Sequence, residues 1–179
     1  KLGVSRTPIR EAIRMLELEG LAVTTPRKGA EVAKMTEKDM EDVLQIRKAL
    51  DELAVGLACE NMGEEELAKL SVALENFEES TRSGNVKRIA QADVEFHDAI
   101  YQAADNPKLV NMLNNLREQM YRYRVEYLKN DSVYPRLIEE HKEIFEGLKR
   151  GDKQTVVEIV SHHVENQELM VKNIIQEQE

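Results

Sequence analysis

The chain has 179 residues, 33% of them charged, with a formal charge of −9, one cysteine and no tryptophan. This length allows one sizeable core or two smaller ones, and a lone Cys59 within an apolar helical pattern excludes an internal disulfide and reads as a small core residue in a reducing cytoplasm. The longest run free of charge, Leu109–Leu116, is far short of the roughly 18–20 apolar residues of a membrane span, no signal-peptide pattern opens the chain, and 4% aromatic content argues against stacking on single-stranded bases.

Charge is unevenly spread. Residues 1–34 hold seven basic and four acidic side chains, a net of +3, which leaves −12 on the remainder. A basic head on an acidic body suits a cytoplasmic protein whose head alone touches phosphate.

In chain order, the first pattern is SRTPIREAIRMLELEG. It places Ile9, Ile13, Leu16 and Leu18 on a helix-spaced stripe, with Ser5 or Thr7 able to cap it, Pro8 tolerated in the first turn and Gly20 ending it. Two β-like runs follow, Leu21–Thr25 and Ala30–Met35, joined through Pro26, Arg27, Lys28 and Gly29 as a hairpin with a basic tip. Thr36, with Asp39 three residues on, is a helix start. Beyond it the apolar spacing predicts helices over 37–62, 64–82, 86–104, 107–129, 133–150 and 153–176, broken at Gly63, Gly84-Asn85, Asn106-Pro107, Asp131–Pro135 and Gly151-Asp152. The fold class is therefore mainly α: a partial helix-plus-hairpin head over 1–35, then an antiparallel bundle of about six helices over 36–179.

On the first helix Arg6 and Thr7 lie at the N-terminal end, and Arg10 and Arg14 fall one turn apart opposite the apolar stripe. A helix-turn-helix presents such residues to base edges and phosphates, and arginine can fork onto guanine or clasp a phosphate. The same side chains would also solubilise an exposed face; spacing alone does not choose. In the body, Asp93 and His97 are spaced i,i+4 on one helix face, while His141 and His163 sit mid-helix further on. An aspartate and three histidines from three helices could supply four ligands to a divalent ion such as Zn, Ni, Mn or Fe(II). Duller readings stand beside this: Asp93 as a solvated acid, His141 exposed among Glu139, Glu140 and Lys142, and only one of His162 and His163 able to point inward.

The string LGVSRTPIREAIRMLELEGLAVTTPRKGAEV resembles the second half of a GntR-type winged helix-turn-helix. The resemblance implies operator contacts from Ser5, Arg6, Thr7, Arg10 and Arg14, with Lys28 and Gly29 in the wing. It also implies that the first two helices of the module, about 30–40 residues, lie before Lys1. Three further stretches, QIRKALDELAVGLACE, DVEFHDAIYQAADNPKLVNML and EEHKEIFEGLKRGDKQTVVEIVSHHV, resemble the FCD effector domain of the FadR-type branch, with Asp51 standing where glutamate is usual. By that likeness Asp93, His97, His141 and His163 hold a divalent transition metal. Arg47 grips the effector, with Arg117, Tyr121, Arg124 and Asn166 as weaker candidates.

The expected protein is a homodimeric, metabolite-responsive repressor that binds a two-half-site operator in double-stranded DNA, senses a small organic acid at the metal, and has no membrane partner. The alternatives are a hydrolase-type metalloenzyme, for which Glu95 and Glu140 point away from the ligand face on helical spacing, and a structural metal stapling the bundle.

Overall fold

The computed structural model of the chain describes residues 5–33 and 36–176. Helix α1 (Arg6–Leu18) starts after Ser5, which takes the N-cap position in extended backbone but makes no side-chain cap bond. It ends before Gly20, whose φ of +72° is cheap only without a Cβ, and the Leu21 N–H reaches back 2.8 Å to the Leu16 carbonyl. Strands β1 (Ala22–Thr25) and β2 (Gly29–Val32) pair antiparallel, Ala22 opposite Val32 and Thr25 opposite Gly29. At the tip Pro26 fixes one φ, Arg27 adopts +69°, and the Lys28 N–H donates to the Thr25 carbonyl at 3.1 Å. The second strand is shorter than the expected 30–35 because its partner runs out at Ala22; residues 34 and 35 lie outside the described residues.

Six helices follow: α2 (Glu37–Asn61), α3 (Glu64–Arg82), α4 (Val86–Ala103), α5 (Pro107–Tyr127), α6 (Tyr134–Arg150) and α7 (Lys153–Gln176). Their boundaries have local chemical causes. Thr36 and Asp39 form a reciprocal capping box, Asn85 and Asn106 cap α4 and α5, and Gly151 ends α6 at φ +66°. The expected start of the fifth body helix at 133 shifts by one residue, because a 3₁₀ turn over Asp131–Val133, capped by the Asn130 side chain, precedes α6.

α2 lies along α7, α3 along α4, and α6 against both α3 and α7. At the α6–α7 contact a Cβ on Gly147 would meet Val156 Cβ at 3.0 Å, so the glycine permits the close approach of the two helices that carry His141 and His163. One apolar cluster packs Leu70, Phe96, Ile100, Ile144 and Leu148; a second packs Phe77, Ile89, Leu128 and Leu137; a third packs Met40, Leu44, Met120 and Tyr123. Among these clusters Arg47, Asp51, Asp93, His97, Glu140, His141, His163 and Gln167 are all buried. Burying so many polar groups costs free energy unless they are paired or serve a ligand, which makes this region the candidate site. Among the described residues no helix is long and apolar enough to cross a membrane.

Candidate functional site

α4 brings Asp93 and His97 to the bundle centre, α6 brings His141 and α7 brings His163. The three imidazoles form a triangle with every pair of ring centroids 5.3 Å apart. One ring nitrogen from each lies within 4.8 Å of the other two. Asp93 Oδ1 completes the group, 3.5 Å from His141 Nε2 and 3.9 Å from His97 Nε2, while its Oδ2 accepts from the Arg124 guanidinium. Phe96 stacks on His141 at 4.2 Å and Phe77 leans against it at 4.5 Å, fixing the orientation of a ring that has no protein hydrogen bond at either nitrogen.

A chain of hydrogen bonds assigns the tautomer of His163. Arginine only donates, so the Gln167 oxygen must face Arg47 NH1, at 2.8 Å. The Gln167 amide nitrogen therefore donates to His163 Nε2 at 2.9 Å. That nitrogen carries the lone pair, and Nδ1–H donates to Glu140 Oε2 at 2.7 Å. A carboxylate behind an imidazole orients the ring and raises its basicity as a ligand.

Burial, reinforced by the neighbouring imidazoles, holds His97 well below the ordinary range of a histidine; burial and then His163 and Arg124 do the same for His141. Neutral rings with buried, unpartnered nitrogens at His97 Nε2 and His141 Nε2, a third lone pair at His163 and an adjacent carboxylate fit a divalent ion with nitrogen and oxygen preference. When bound, such an ion supplies a positive centre with open coordination that attracts an anionic guest.

The same neutrality has a consequence for stability. In the unfolded chain both rings titrate near pH 6.5, so below that value the unfolded state binds more protons than the folded one and the fold weakens as pH falls. Each ring contributes at most about 1.4 kcal/mol per pH unit to this loss, the limit for one proton bound in the unfolded state only. Urea unfolding of chelator-treated protein should therefore show a midpoint falling from pH 7 to pH 5, with a shallower slope in His141→Asn. A flat profile would contradict the assignment of neutral imidazoles.

Beside the triangle, Arg47 is 5% exposed; its Nε donates to Asp51 Oδ2 at 3.0 Å, Asp51 Oδ1 accepts from Tyr101 OH at 2.6 Å, and its NH2 has no partner. Two cavities adjoin it, of about 20 and 10 Å³, sharing Arg47, Met120 and Arg124 in their walls; Asp93, Tyr127 and Gln167 line the first, His97, Tyr101 and Arg117 the second. Each has room for about one water, so a larger guest must push wall side chains aside. Of the effector-binding residues named from sequence, Arg47, Arg117 and Arg124 line these spaces, Arg117 also pairing with Asp98. Tyr121 does not: it is 40% exposed and lines neither cavity. Asn166 is turned to the outer side, where its amide donates to Glu140 Oε1 at 2.8 Å. Glu140, expected to face away, is buried against His163; Tyr101 and Tyr127 join the surroundings of the histidines unannounced by spacing, and of Asn166 and Gln167, which share the His163 side of the helix by spacing, it is Gln167 that bonds His163.

In the head, Ser5, Arg6, Thr7, Arg10 and Arg14 are exposed along α1, and Lys28 and Gly29 are exposed at the hairpin tip. The hairpin is tied to α1 by the Thr24 N–H donating to Glu17 Oε1 at 2.9 Å. A cleft of about 490 Å³ between head and body is lined by Gly20, Leu21, Val23 and Val32 on one side and by Asp42, Val43, Gln119 and Tyr123 on the other.

Residues 42–166 match the FCD domain, and residues 1–32 match the gntR family of bacterial regulatory proteins. The chain belongs to the GntR family. It is 31% identical over 176 residues to the HTH-type transcriptional regulator YdhC of Bacillus subtilis, a match covering 98% of this chain and 79% of that protein. It is 30% identical over 159 residues to the HTH-type transcriptional regulator McbR of Escherichia coli, covering 86% and 71% of the two chains. The solved structure of E. coli McbR/YncC superposes with a TM-score of 0.84 at 24% identity, covering 95% of this chain and 81% of that one, which places the fold. This GntR–FCD chain is thus a DNA-binding transcriptional regulator and not an enzyme. Glu140 is engaged by His163 and Asn166, and Glu95 is exposed and bonded to Gln91.

Proposed function

We propose that this GntR-family regulator is a metal-dependent repressor: residues 1–35 contribute to the operator reader, and residues 36–179 dimerise and bind a small carboxylic acid at a divalent ion held by Asp93, His97, His141 and His163. The observation that carries this reading is the triangle of buried histidines beside an arginine with an unpartnered NH2. An open metal position and a guanidinium edge are complementary to one small carboxylate, the first as a Lewis acid and the second as a fork of donors. Relatives bear repressor names: a probable D-xylose utilization operon transcriptional repressor from Paenarthrobacter nicotinovorans and the gluconate operon transcriptional repressor of Bacillus subtilis. Two copies binding two half-sites follow from the usual symmetry of such readers.

A ligand alters DNA binding only if it favours one head arrangement over another. Helix α5 is placed to transmit this. Met120 and Arg124 wall the cavities, while Gln119 and Tyr123 of the same helix face the head across the cleft. Because the cavities hold little more than a water, a guest must displace α5 side chains, and that displacement is felt at Gly20 and β1.

The test is operator binding by fluorescence anisotropy with a panel of small organic acids, run with Zn²⁺ and after chelation. An active acid is expected to change operator affinity by about 5- to 150-fold in the metal-loaded protein, corresponding to a coupling of roughly 1–3 kcal/mol, and to do nothing after chelation. An acid response that survives chelation would refute the metal-dependent part of the reading.

A further inference from the structure

The Gln167 amide stands between the two halves of the site. Its oxygen accepts from Arg47 NH1 at 2.8 Å, and its nitrogen donates to His163 Nε2 at 2.9 Å. Since His163 Nδ1 is committed to Glu140, Nε2 holds the only lone pair this ring can offer an ion, and Gln167 already occupies it. The other two rings differ: His97 Nε2 and both His141 nitrogens make no protein hydrogen bond. Gln167 is 6% exposed and lies one helical turn beyond His163 on α7, so rotation of its own side chain suffices to leave the lone pair without moving the helix.

We propose that Gln167 is a partner-exchanging residue: it hydrogen-bonds His163 Nε2 in the metal-free site, must leave that nitrogen when a cation binds there, and in leaving releases Arg47 NH1 for the acid. This rests on the reading of the histidine cluster as a metal centre. The release matters because Arg47 is otherwise poised. Asp51, itself held by the Tyr101 hydroxyl, anchors Nε and so fixes the plane of the guanidinium. NH2 is already unpartnered, and freeing NH1 exposes the outer two-donor edge that binds a carboxylate bidentately. Metal binding and acid binding then cooperate through the protein as well as through any direct contact between the two ligands, and by linkage each strengthens the other.

The experiment uses Zn²⁺ alone, in competition with a chromophoric chelator, on the wild-type chain, His163→Ala and Gln167→Leu. Removing the competing hydrogen bond is expected to tighten Zn²⁺ binding by about two- to tenfold in Gln167→Leu at unchanged stoichiometry, whereas a residue that merely supports the fold would weaken it. A second measurement needs no variant to fold well. In wild-type protein carrying ¹⁵N-glutamine, one equivalent of Zn²⁺ should shift the side-chain amide pair that is missing from the Gln167→Leu spectrum. Equal or weaker Zn²⁺ binding by Gln167→Leu, or an unmoved amide pair with Zn²⁺ bound, overturns the exchange while leaving the metal centre standing. Failure of the wild-type chain to bind Zn²⁺, or undiminished binding by His163→Ala, overturns both.

Discussion

Replacing Arg10 and Arg14 together by alanine is expected to weaken operator binding by at least about 30-fold without lowering the stability of the fold. Each arginine that grips a base edge or phosphate contributes roughly 1–3 kcal/mol, so losing two removes about 2–6 kcal/mol. The folded state has little stake in either side chain: both are exposed, and the ion pair of Arg14 with Glu11 is 3.9 Å long with Arg14 70% exposed. Salt dependence separates the two kinds of contact. Each lost phosphate contact should reduce the slope of log affinity against log salt by about 0.9, whereas a lost guanine contact should relax sequence preference and leave the slope unchanged. Unaltered affinity for operator DNA would remove α1 as the reading helix. The apolar side of α1 bears on this too, because Ile9, Leu16 and Leu18 are 36%, 42% and 78% exposed; the helix is held to the rest of the described residues mainly through its hairpin.

Helix ends were legible in the sequence wherever one residue type has a single strong use. Thr36 with Asp39, Asn106 before Pro107, and Gly151 each mark a boundary through its own backbone chemistry, and the structure places boundaries there. The turn at Asp131–Val133 was less legible, since it depends on the Asn130 side chain capping a single 3₁₀ turn. Asp93 and His97 could be paired because an i,i+4 relation is fixed within one helix. Periodicity says nothing about which helices will be neighbours, so the meeting of α4, α6 and α7 at the histidines could be drawn only from the resemblance to the FCD domain.

Side chains at the margins of the inward faces are instructive in a different way. Glu140 precedes His141 by one position, about 100° around α6, yet its length carries the carboxylate across to His163 on α7. Asn166 and Gln167 divide the two sides of α7 between them, Asn166 bonding Glu140 and Gln167 bonding Arg47 and His163. On α5, Tyr121 falls on the exposed side, whereas Met120, Arg124 and Tyr127, related by helical spacing, line a cavity. A periodic stripe identifies an inward face, but long polar side chains at its margin choose their partners from whatever helix lies opposite.

The ligand set itself yields the other large expected effect. In His97→Ala/His163→Ala, bound metal measured by elemental analysis should fall from about one ion per chain to background, because two corners of the triangle are gone and Asp93 with His141 remain too few to hold an ion tightly. Glu140→Gln supplies the graded comparison. Its amide oxygen can still accept from His163 Nδ1, so the ring keeps its orientation, but the negative charge that raises the basicity of Nε2 is lost. Such outer-shell changes cost roughly 10- to 100-fold in metal affinity, so the expected order is wild type, then Glu140→Gln, then the double histidine variant. A double variant that keeps a stoichiometric ion would place the metal elsewhere. A Glu140→Gln protein as tight as wild type would reduce Glu140 to a packing role, since orientation without charge would then be enough.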